Sequence, residues 1–436
     1  MATSAVISDS SALRNGLRDR YVLVRSRSLK LCEPLTPEDM MVQSCPEASP
    51  AKWHLAHTAW FFESFVLSEF LAVYRVFNPD FVWLFNSYYQ SFAEFPDKRL
   101  RASFSRPGID EILRYRQRVD AGVNQLLQSD TPNLPDEALR RIELGLNHEE
   151  QHQELLLTDM KHALYTNPLQ PAYLASDGKA SGGRGCPLRW IEYEGGLVEI
   201  GQGEADGFGF DNERPRHRVW LGPFQFASRL VTCGEFAEFI SDGGYQRPEF
   251  WLSAGWQTMR DLGWSAPLYW RKQDGDWVIG SLRGKRGLAE VEHAPVAHVS
   301  YFEADAFARW AGKRLATEAE WESVAASAPI RGNLLESGRL EPVGLDAGLD
   351  SSADLDRPAQ LFGDCWEWTG SAYLGYPGFK PLDGALGEYN GKFMSGQMVL
   401  RGGSCVTPTA HVRSSYRNFF APETRWQFSG IRLASN

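Results

Sequence analysis

The sequence contains no pair of cysteines at the spacing of a redox or zinc motif. Its six cysteines are scattered between Cys32 and Cys405 over a chain of 436 residues. In a chain of this length, such scatter is typical of the reducing cytosol and not of a disulfide scaffold. We therefore predict a cytoplasmic protein whose cysteines are free thiols.

Long apolar runs and an excess of positive charge are also missing. Nowhere do about 18 apolar residues follow one another, and the first twenty residues lack the apolar core of a signal peptide. Lys and Arg number 45 against 55 Asp and Glu, which gives a net charge of −10. Because phosphate binding normally requires a basic patch, we expect no nucleic acid and no membrane among the partners.

The first 165 or so residues instead carry apolar residues at helical spacing. Four segments predict long helices: Asp9–Arg27, Trp53–Phe70, Ile109–Gln128 and Pro135–Ala163. Asp9 is a suitable N-cap for the first of them. Four long helices joined by loops predict an antiparallel bundle.

The character of the chain changes after a polar break at Tyr165–Leu188. Short β-like runs follow at Leu197–Ile200, His217–Trp220 and Met398–Leu400. Three helices are predicted among them, at Thr232–Ser241, Tyr301–Trp310 and Thr317–Ala326, the last opened by a capping box between Thr317 and Glu320. We predict a helical domain at 1–170, a linker at 171–188 and a loop-rich α+β domain at 189–436.

The most informative segment is Asn147–Lys161, NHEEQHQELLLTDMK. At about 3.6 residues per turn, His148 and His152 lie on one face of a helix, close enough to bind one metal ion. Neutral imidazole suits Fe, Zn, Cu or Ni. For the third ligand we select His57, which shares a helix stripe with Trp53 and Trp60, and keep His54 as the alternative.

The same segment matches the zinc-peptidase pattern HExxH, in which Glu149 would be the general base. Leu155 and Thr158 stand where the metzincin extension requires Gly and His. A zinc metallopeptidase therefore remains an alternative function, and it predicts bound zinc and peptide hydrolysis.

Five segments of the second half together resemble the formylglycine-generating-enzyme-like domain, whose core is C-type-lectin-like. They are Ala294–Trp310, Gly312–Glu322, Gly363–Thr369, Val399–Ser404 and Phe428–Ala434. Gly402 and Gly403 permit unusual dihedral angles, and the alternation of Trp366 and Trp368 fits a packed strand. That family carries a cysteine pair shortly after its RGGS segment, whereas Cys405 stands alone, so copper–thiolate chemistry is not expected here.

The first half, with HLAHTAWFFE at 54–63 and LGLNHEEQHQE at 144–154, resembles the DinB-like metal-binding bundle. The two domains in this order resemble the sulfoxide synthases of ergothioneine biosynthesis over nearly the whole chain. The resemblance implies a non-haem iron(II) enzyme that uses O2 to join a thiol to C2 of the imidazole of hercynine (trimethylhistidine) and to oxidise the sulfur. Carried over by position, the iron ligands are His57, His148 and His152.

The resemblance also implies a catalytic tyrosine and a thiol substrate. Tyr88 and Tyr89, in the loop after the second helix, resemble the cysteine-using branch, in which a tyrosine directs the reaction to C–S bond formation and away from thiol dioxygenation. Tyr376 is similar in position to the tyrosine of the γ-glutamylcysteine-using branch, and we rank it below the other two. Phe419 and Phe420 stand where that branch has Trp and Asp, so free cysteine is the expected thiol and hercynylcysteine sulfoxide the expected product.

The expected substrate contacts follow from the same resemblance and from the chemistry of the side chains. Gln151 would reach the hercynine imidazole, Asn418 would bond near the betaine, and Phe419, followed by Phe420, would face the trimethylammonium group. Lys98 or Arg101 would bind the cysteine carboxylate, and a bidentate Arg is chemically preferred.

Two further alternatives remain open from the sequence. A selenium relative of the family, which couples hercynine to a selenosugar, shares both domains. A lectin-like module that binds a ligand, with the bundle as a scaffold, would be non-catalytic.

Overall fold

The chain divides into two compact units. A computed structural model describes residues 2–128, 134–176, 183, 185–345 and 357–436, with side chains from residue 13 onward. Unit 1 comprises Met1–Thr166 together with Asp383–Tyr389, and unit 2 comprises Asn167–Leu382 and Asn390–Asn436. The segment Asp383–Tyr389 therefore belongs with the helical first half, although it lies far along the second half of the sequence.

Unit 1 is helical. Its helices are α1 Ala2–Lys30, α2 Ala51–Phe62, α3 Ser68–Phe70, α4 Phe81–Leu84, α5 Ile109–Leu126 and α6 Asp136–Thr166. Helix α6 packs against α1 and α2, and α2 also packs against α5, so the predicted four-helix bundle is confirmed. The predicted cap of the first helix is wrong: α1 begins at Ala2, so Asp9 lies inside it. The Ala- and Ser-rich first turns carry no apolar stripe that would mark this start.

Helix α2 is the central element of the bundle, because all of its residues from Ala51 to Phe62 are buried. It continues as one π-helical stretch, Glu63–Leu67, into α3. Helix α6 approaches it at Gly145, where a Cβ atom would lie 2.6 Å from Cε1 of Phe62. Glycine thus permits the close α2–α6 contact three residues before His148.

Unit 2 combines short strands with short helices. The strands are β1 Trp190–Tyr193, β2 Gly196–Ile200, β3 His217–Leu221, β4 Phe224–Ala227, β5 Trp270–Gln273, β6 Asp276–Ser281, β7 Gly284–Gly287, β8 Arg314–Leu315, β9 Trp366–Ala372, β10 Met398–Arg401, β11 Asn418–Phe420, β12 Ser429–Gly430 and β13 Leu433–Ser435. The helices are α7 Cys233–Ser241, α8 Ser253–Asp261, α9 Leu288–Val291, α10 Tyr301–Trp310 and α11 Glu318–Ala325. The predicted α+β second half is confirmed.

The strands pair mostly antiparallel, in the orders β1-β4-β13-β8, β11-β10-β9-β12, β2-β3 and β5-β6-β7. The β12–β9 pair is parallel. One core cluster of the unit includes Phe226 of β4, Trp321 of α11 and Phe362.

Several local predictions hold in unit 2. The capping box that opens α11 is present, with Thr317 accepting from the backbone N–H of Glu320. Gly402 and Gly403 have φ values of +98° and +80°, in the left-handed region that favours glycine. Cys405 is buried.

Among the residues that the structure describes, no helix combines the length and the apolar character that crossing a membrane requires.

Candidate metal centre

Three histidines from α2 and α6 converge in unit 1. His57 comes from α2, and His148 and His152 come from successive turns of α6; one ring nitrogen of each lies within 4.8 Å of the others. The Nε2 atoms of His57 and His148 are 3.2 Å apart. Burial lowers the pKa of His148 to about 3 and holds the pKa values of His57 and His152 well below the usual range. All three are therefore neutral imidazoles with lone pairs available at neutral pH.

Hydrogen bonds fix which nitrogens are free. Nδ1 of His57 lies 2.6 Å from the carbonyl oxygen of Phe85. Because a carbonyl only accepts, this Nδ1 carries the hydrogen and Nε2 keeps its lone pair. Nδ1 of His152 is likewise engaged, 2.8 Å from Nδ1 of His54, which turns its Nε2 toward the other two rings.

This donor set fits a transition metal. Three neutral imidazoles converge with no carboxylate ligand among the residues that the structure describes, which suits Fe, Zn, Cu or Ni and not Mg or Ca. His54 is not part of the cluster, so the structure groups His57, the selected third ligand, with the pair on α6.

Aromatic rings hold His57 in place on both sides. Trp53 stacks on it at a centroid distance of 4.5 Å, and Trp60 stacks at 5.3 Å, each with an interplanar angle of 13°. Phe61 lies 4.7 Å from the ring of His148. These buried rings keep the imidazoles rigid and limit the access of water to them.

Arg101 is a buried cation beside this aromatic wall. Its guanidinium lies 3.5 Å above the ring of Trp53. It donates to the hydroxyls of Ser49 at 2.8 Å and Ser87 at 3.1 Å. Among the described residues, no carboxylate lies within ion-pairing distance of it, and burial lowers the pKa of Arg101 to about 9. A buried guanidinium without a counter-ion is costly, so this position favours an incoming anion.

Lys98 occupies a different environment. It is exposed, and its ammonium group donates to the backbone carbonyl of Glu47. Of the two cations expected to bind a carboxylate, Arg101 is therefore the better placed next to the histidine cluster.

The loop that carries Tyr88 and Tyr89 is attached to the same site. Asn86 organises it: its amide donates to the carbonyl oxygen of Tyr89 at 3.0 Å and accepts from the N–H of Tyr89 at 3.2 Å. Tyr89 is fully buried, and its hydroxyl has no hydrogen-bond partner among the described residues. Its ring stacks on Tyr88 at 4.6 Å and lies 5.6 Å from Trp60.

A residue that sequence reasoning missed joins this group from the segment Asp383–Tyr389. The hydroxyl of Tyr389 hydrogen-bonds to Oε1 of Gln151, 238 positions away in sequence. The ring of Tyr389 lies 5.6 Å from that of His148 and 6.2 Å from that of Tyr88. Glu388 accepts from the backbone N–H groups of Gln90 and Ser91, which ties this segment to the tyrosine loop. No local sequence pattern marks this long-range contact.

The remaining predicted site residues belong to unit 2. The hydroxyl of Tyr376 is 3.3 Å from a carboxylate oxygen of Glu318, and the guanidinium of Arg417 lies 4.0 Å from its ring centroid. Asn418, Phe419 and Phe420 form β11, where Phe419 stacks on Tyr373 at 4.0 Å. All three residues of β11 are half-buried.

Glu149 of the HExxH pattern is engaged elsewhere. Its carboxylate accepts from Arg25 at 2.7 Å, from Arg116 at 2.8 Å and from the hydroxyl of Ser28 at 2.6 Å. Although burial opposes ionisation, the two guanidinium groups lower the pKa of Glu149 to about 2. A carboxylate held in this way is a poor general base, which argues against the zinc-peptidase alternative.

Comparison with known proteins covers both halves of the chain. The sulfatase-modifying factor enzyme 1-like domain matches residues 189–348 and 358–436, and the DinB superfamily matches residues 20–156. Hercynine oxygenase of Mycolicibacterium smegmatis is 31% identical over 97% of this chain and 99% of its own length. Hercynine oxygenase of Mycobacterium tuberculosis is 36% identical over 66% of this chain and 70% of its own length. Ergothioneine biosynthesis protein 1 of Neurospora crassa is 24% identical over 75% of this chain and 47% of its own length.

Proposed function

Since this chain belongs to the ergothioneine sulfoxide synthase family, we propose that it joins hercynine to free cysteine with O2 at a non-haem iron(II) centre. A C–S bond forms between C2 of the imidazole and the thiol sulfur, the C2–H and S–H bonds are lost, and the sulfur is oxidised to the sulfoxide. O2 supplies the sulfoxide oxygen, and its other atom leaves as water with the two hydrogens. The observation that carries the proposal is the convergence of three neutral histidines, two of them buried, in a chain similar to hercynine oxygenases.

His57, His148 and His152 would hold the ion. When bound, ferrous iron supplies the redox chemistry that activates O2, which no side chain of the site can supply. The stacked rings of Trp53 and Trp60 keep His57 in position. The protein then contributes by bringing both substrates together in a fixed orientation.

Gln151 and Tyr389 are the groups we assign to the hercynine imidazole. Their side chains are hydrogen-bonded to each other, and the ring of Tyr389 lies next to His148. Both carry donor and acceptor atoms that suit an imidazole edge. For the betaine we assign Asn418, Phe419 and Phe420, because a cation–π contact of about 0.5–2 kcal/mol suits a trimethylammonium group.

Arg101 is the group we assign to the carboxylate of cysteine. The absence of a carboxylate partner among the described residues, together with its near-complete burial, supports this role. A guanidinium also matches a carboxylate in shape and charge. Lys98 is exposed and would contribute at most through its charge.

Tyr89 is the proton donor that we rank first, followed by Tyr88 and then Tyr376. Burial raises the pKa of Tyr89 well above its ordinary value, so its hydroxyl keeps its proton at neutral pH. That hydroxyl has no competing partner among the described residues, which leaves it available to a bound reactant.

Anaerobic loading with Fe(II), followed by O2 uptake in the presence of hercynine and cysteine, tests this function. We expect hercynine-dependent O2 consumption and a product with the mass of hercynylcysteine sulfoxide. Replacing cysteine by γ-glutamylcysteine or by a selenosugar in parallel reactions identifies the co-substrate. His148→Ala is the matched negative control, and a wild-type protein that consumes no O2 with hercynine contradicts the proposal.

A further inference from the structure

His54 lies one turn before His57 on α2 but takes no part in the three-histidine cluster. It is buried, and both of its ring nitrogens have partners. Nδ1 lies 2.8 Å from Nδ1 of His152, and Nε2 lies 3.0 Å from Oδ2 of Asp159. Asp159 is on α6, two turns after His152, so the three side chains form a continuous hydrogen-bonded chain.

The direction of these hydrogen bonds follows from the acceptor at the end of the chain. An ionised carboxylate only accepts, so Nε2 of His54 carries its hydrogen and Nδ1 presents a lone pair. Nδ1 of His152 must then donate to it, and Nε2 of His152 is the atom left for a metal ion. Asp159 is itself held in place, because Oδ2 also accepts from the backbone N–H of Ser49 at 2.7 Å.

The three histidines of the cluster differ in what their Nδ1 atoms contact. His57 donates to a neutral backbone carbonyl. Nδ1 of His148 is buried and has no hydrogen-bond partner among the described residues. Only for His152, within the described part of the site, does a hydrogen-bonded path lead to a carboxylate.

We propose that His54 and Asp159 are positioning residues that fix the tautomer of His152 and strengthen it as a metal ligand. The inference rests on the proposed metal centre. A hydrogen bond from the distal N–H of a ligand histidine toward a carboxylate raises the basicity of the ligand, and losing such partners typically lowers metal affinity about 10- to 100-fold. Here the effect of the carboxylate reaches His152 through a second imidazole.

Two substitutions at His54 and one at Asp159 separate the links of this chain. His54→Asn keeps an oxygen near the position of Nδ1, which can accept from His152, but it loses the connection to Asp159. His54→Phe keeps the ring volume and loses both links. Asp159→Asn keeps the shape and removes the charge. His162→Asn is the control, since His162 lies on the same helix and its Nδ1 contacts the hydroxyl of Ser44.

Affinity for Fe(II), measured anaerobically by chelator competition, and the Fe(III)/Fe(II) reduction potential are the two readouts. We expect Asp159→Asn and His54→Asn each to weaken Fe(II) binding about 10- to 100-fold. The double variant, Asp159→Asn with His54→Asn, should lose no more Fe(II) affinity than either single variant, because Asp159 acts through His54. The potential should rise in both single variants and more in His54→Phe, since a weaker donor stabilises Fe(III) less. His162→Asn should match the wild type in both measurements.

Additive losses of Fe(II) affinity in the double variant, or an unchanged reduction potential, would overturn the proposed role of His54 and Asp159. A purely structural role would lower affinity together with the melting temperature of the apoprotein and leave the potential unmoved. The proposed function fails differently: wild-type protein then binds no Fe(II), or binds it and consumes no O2 with hercynine. If the protein binds Fe(II) but consumes no O2, its Fe(II) affinity and reduction potential still test the role of His54 and Asp159.

Discussion

The hydroxyl of Tyr89 is the single group on which the choice of product is expected to depend. It is buried, protonated and without a partner among the described residues. Tyr89→Phe removes the proton donor and keeps the ring contacts with Trp60 and Phe65. We expect C–S bond formation to fall by about 10²-fold or more, the lower range for loss of a general acid, while cysteine sulfinate accumulates.

Mass spectrometry of the two products measures this ratio. Tyr88→Phe and Tyr376→Phe, tested side by side, should change it less. A product ratio in Tyr89→Phe equal to that of the wild type would assign the role to another group.

Arg101 is expected to determine the KM for cysteine, the second substrate. Arg101→Gln should raise the KM for cysteine about 10- to 100-fold, the factor that a charged hydrogen bond of about 1.5–3 kcal/mol represents. Steady-state kinetics with cysteamine, which lacks the carboxylate, provides the internal control, because wild type and variant should handle it alike. Lys98→Gln should leave the KM within about threefold, as expected for an exposed cation. An equal loss with both thiols would point to a packing defect.

Glu149 joins three helices of the bundle. It sits on α6 and pairs with Arg25 of α1 and Arg116 of α5, all three being buried. Removing one partner from a buried ion pair costs about 3–5 kcal/mol, so Glu149→Gln should lower the free energy of unfolding by roughly that amount at neutral pH. Glu137→Gln removes an exposed carboxylate that pairs with the exposed Arg140 and the half-buried Arg141, and it should cost less than about 1 kcal/mol.

The same ion pair gives a pH dependence of defined sign. The pKa of Glu149 is lowered to about 2 in the folded protein, against about 4.3 in an unfolded chain. Its contribution is therefore complete above about pH 4.5 and is lost as the pH falls toward 2. The difference in unfolding free energy between wild type and Glu149→Gln, measured in urea with circular dichroism, should shrink over that window. A constant difference would contradict the assignment.

How much of each element the sequence predicted depends on how local its signal is. Helix α10, predicted at Tyr301–Trp310, has those bounds in the structure; a capping box marks its start, and apolar residues at helical spacing run along it. The π-helical stretch Glu63–Leu67 was not predicted, because helical spacing of apolar residues does not distinguish it from a regular helix. The contacts of Glu149 with α1 and α5 depend on tertiary packing, and the spacing of apolar residues in the sequence does not indicate them.

For the site, local spacing placed His148 and His152 together, and a shared stripe selected His57 over His54. The sequence could not show that His54 hydrogen-bonds to His152, because this contact depends on how α2 and α6 are rotated relative to each other. Tyr389 could not be predicted either, because its partner Gln151 is 238 positions away in sequence. The domain bounds and the roles of Asn418, Phe419 and Phe420 stay predictions.

Metal binding should increase the thermal stability of the protein. A ligand at about 100 times its Kd stabilises the folded state by about 2.7 kcal/mol, which corresponds to roughly 5–10 °C for a unit of this size. Anaerobic differential scanning fluorimetry with Fe(II) or Co(II) measures the shift. His148→Ala should abolish it, His162→Asn should retain it, and an equal shift in both variants would locate the ion elsewhere.

The membership of Asp383–Tyr389 in the helical unit has a consequence for inheritance. A gene cut after codon 166 would encode a bundle that lacks the tyrosine next to its own histidine centre. Exchanging the carboxy-terminal module for that of a relative would replace this tyrosine with whatever the donor encodes. The two halves of the coding sequence are therefore expected to be transmitted jointly, and shuffled chimaeras should inherit their chemistry from both parents.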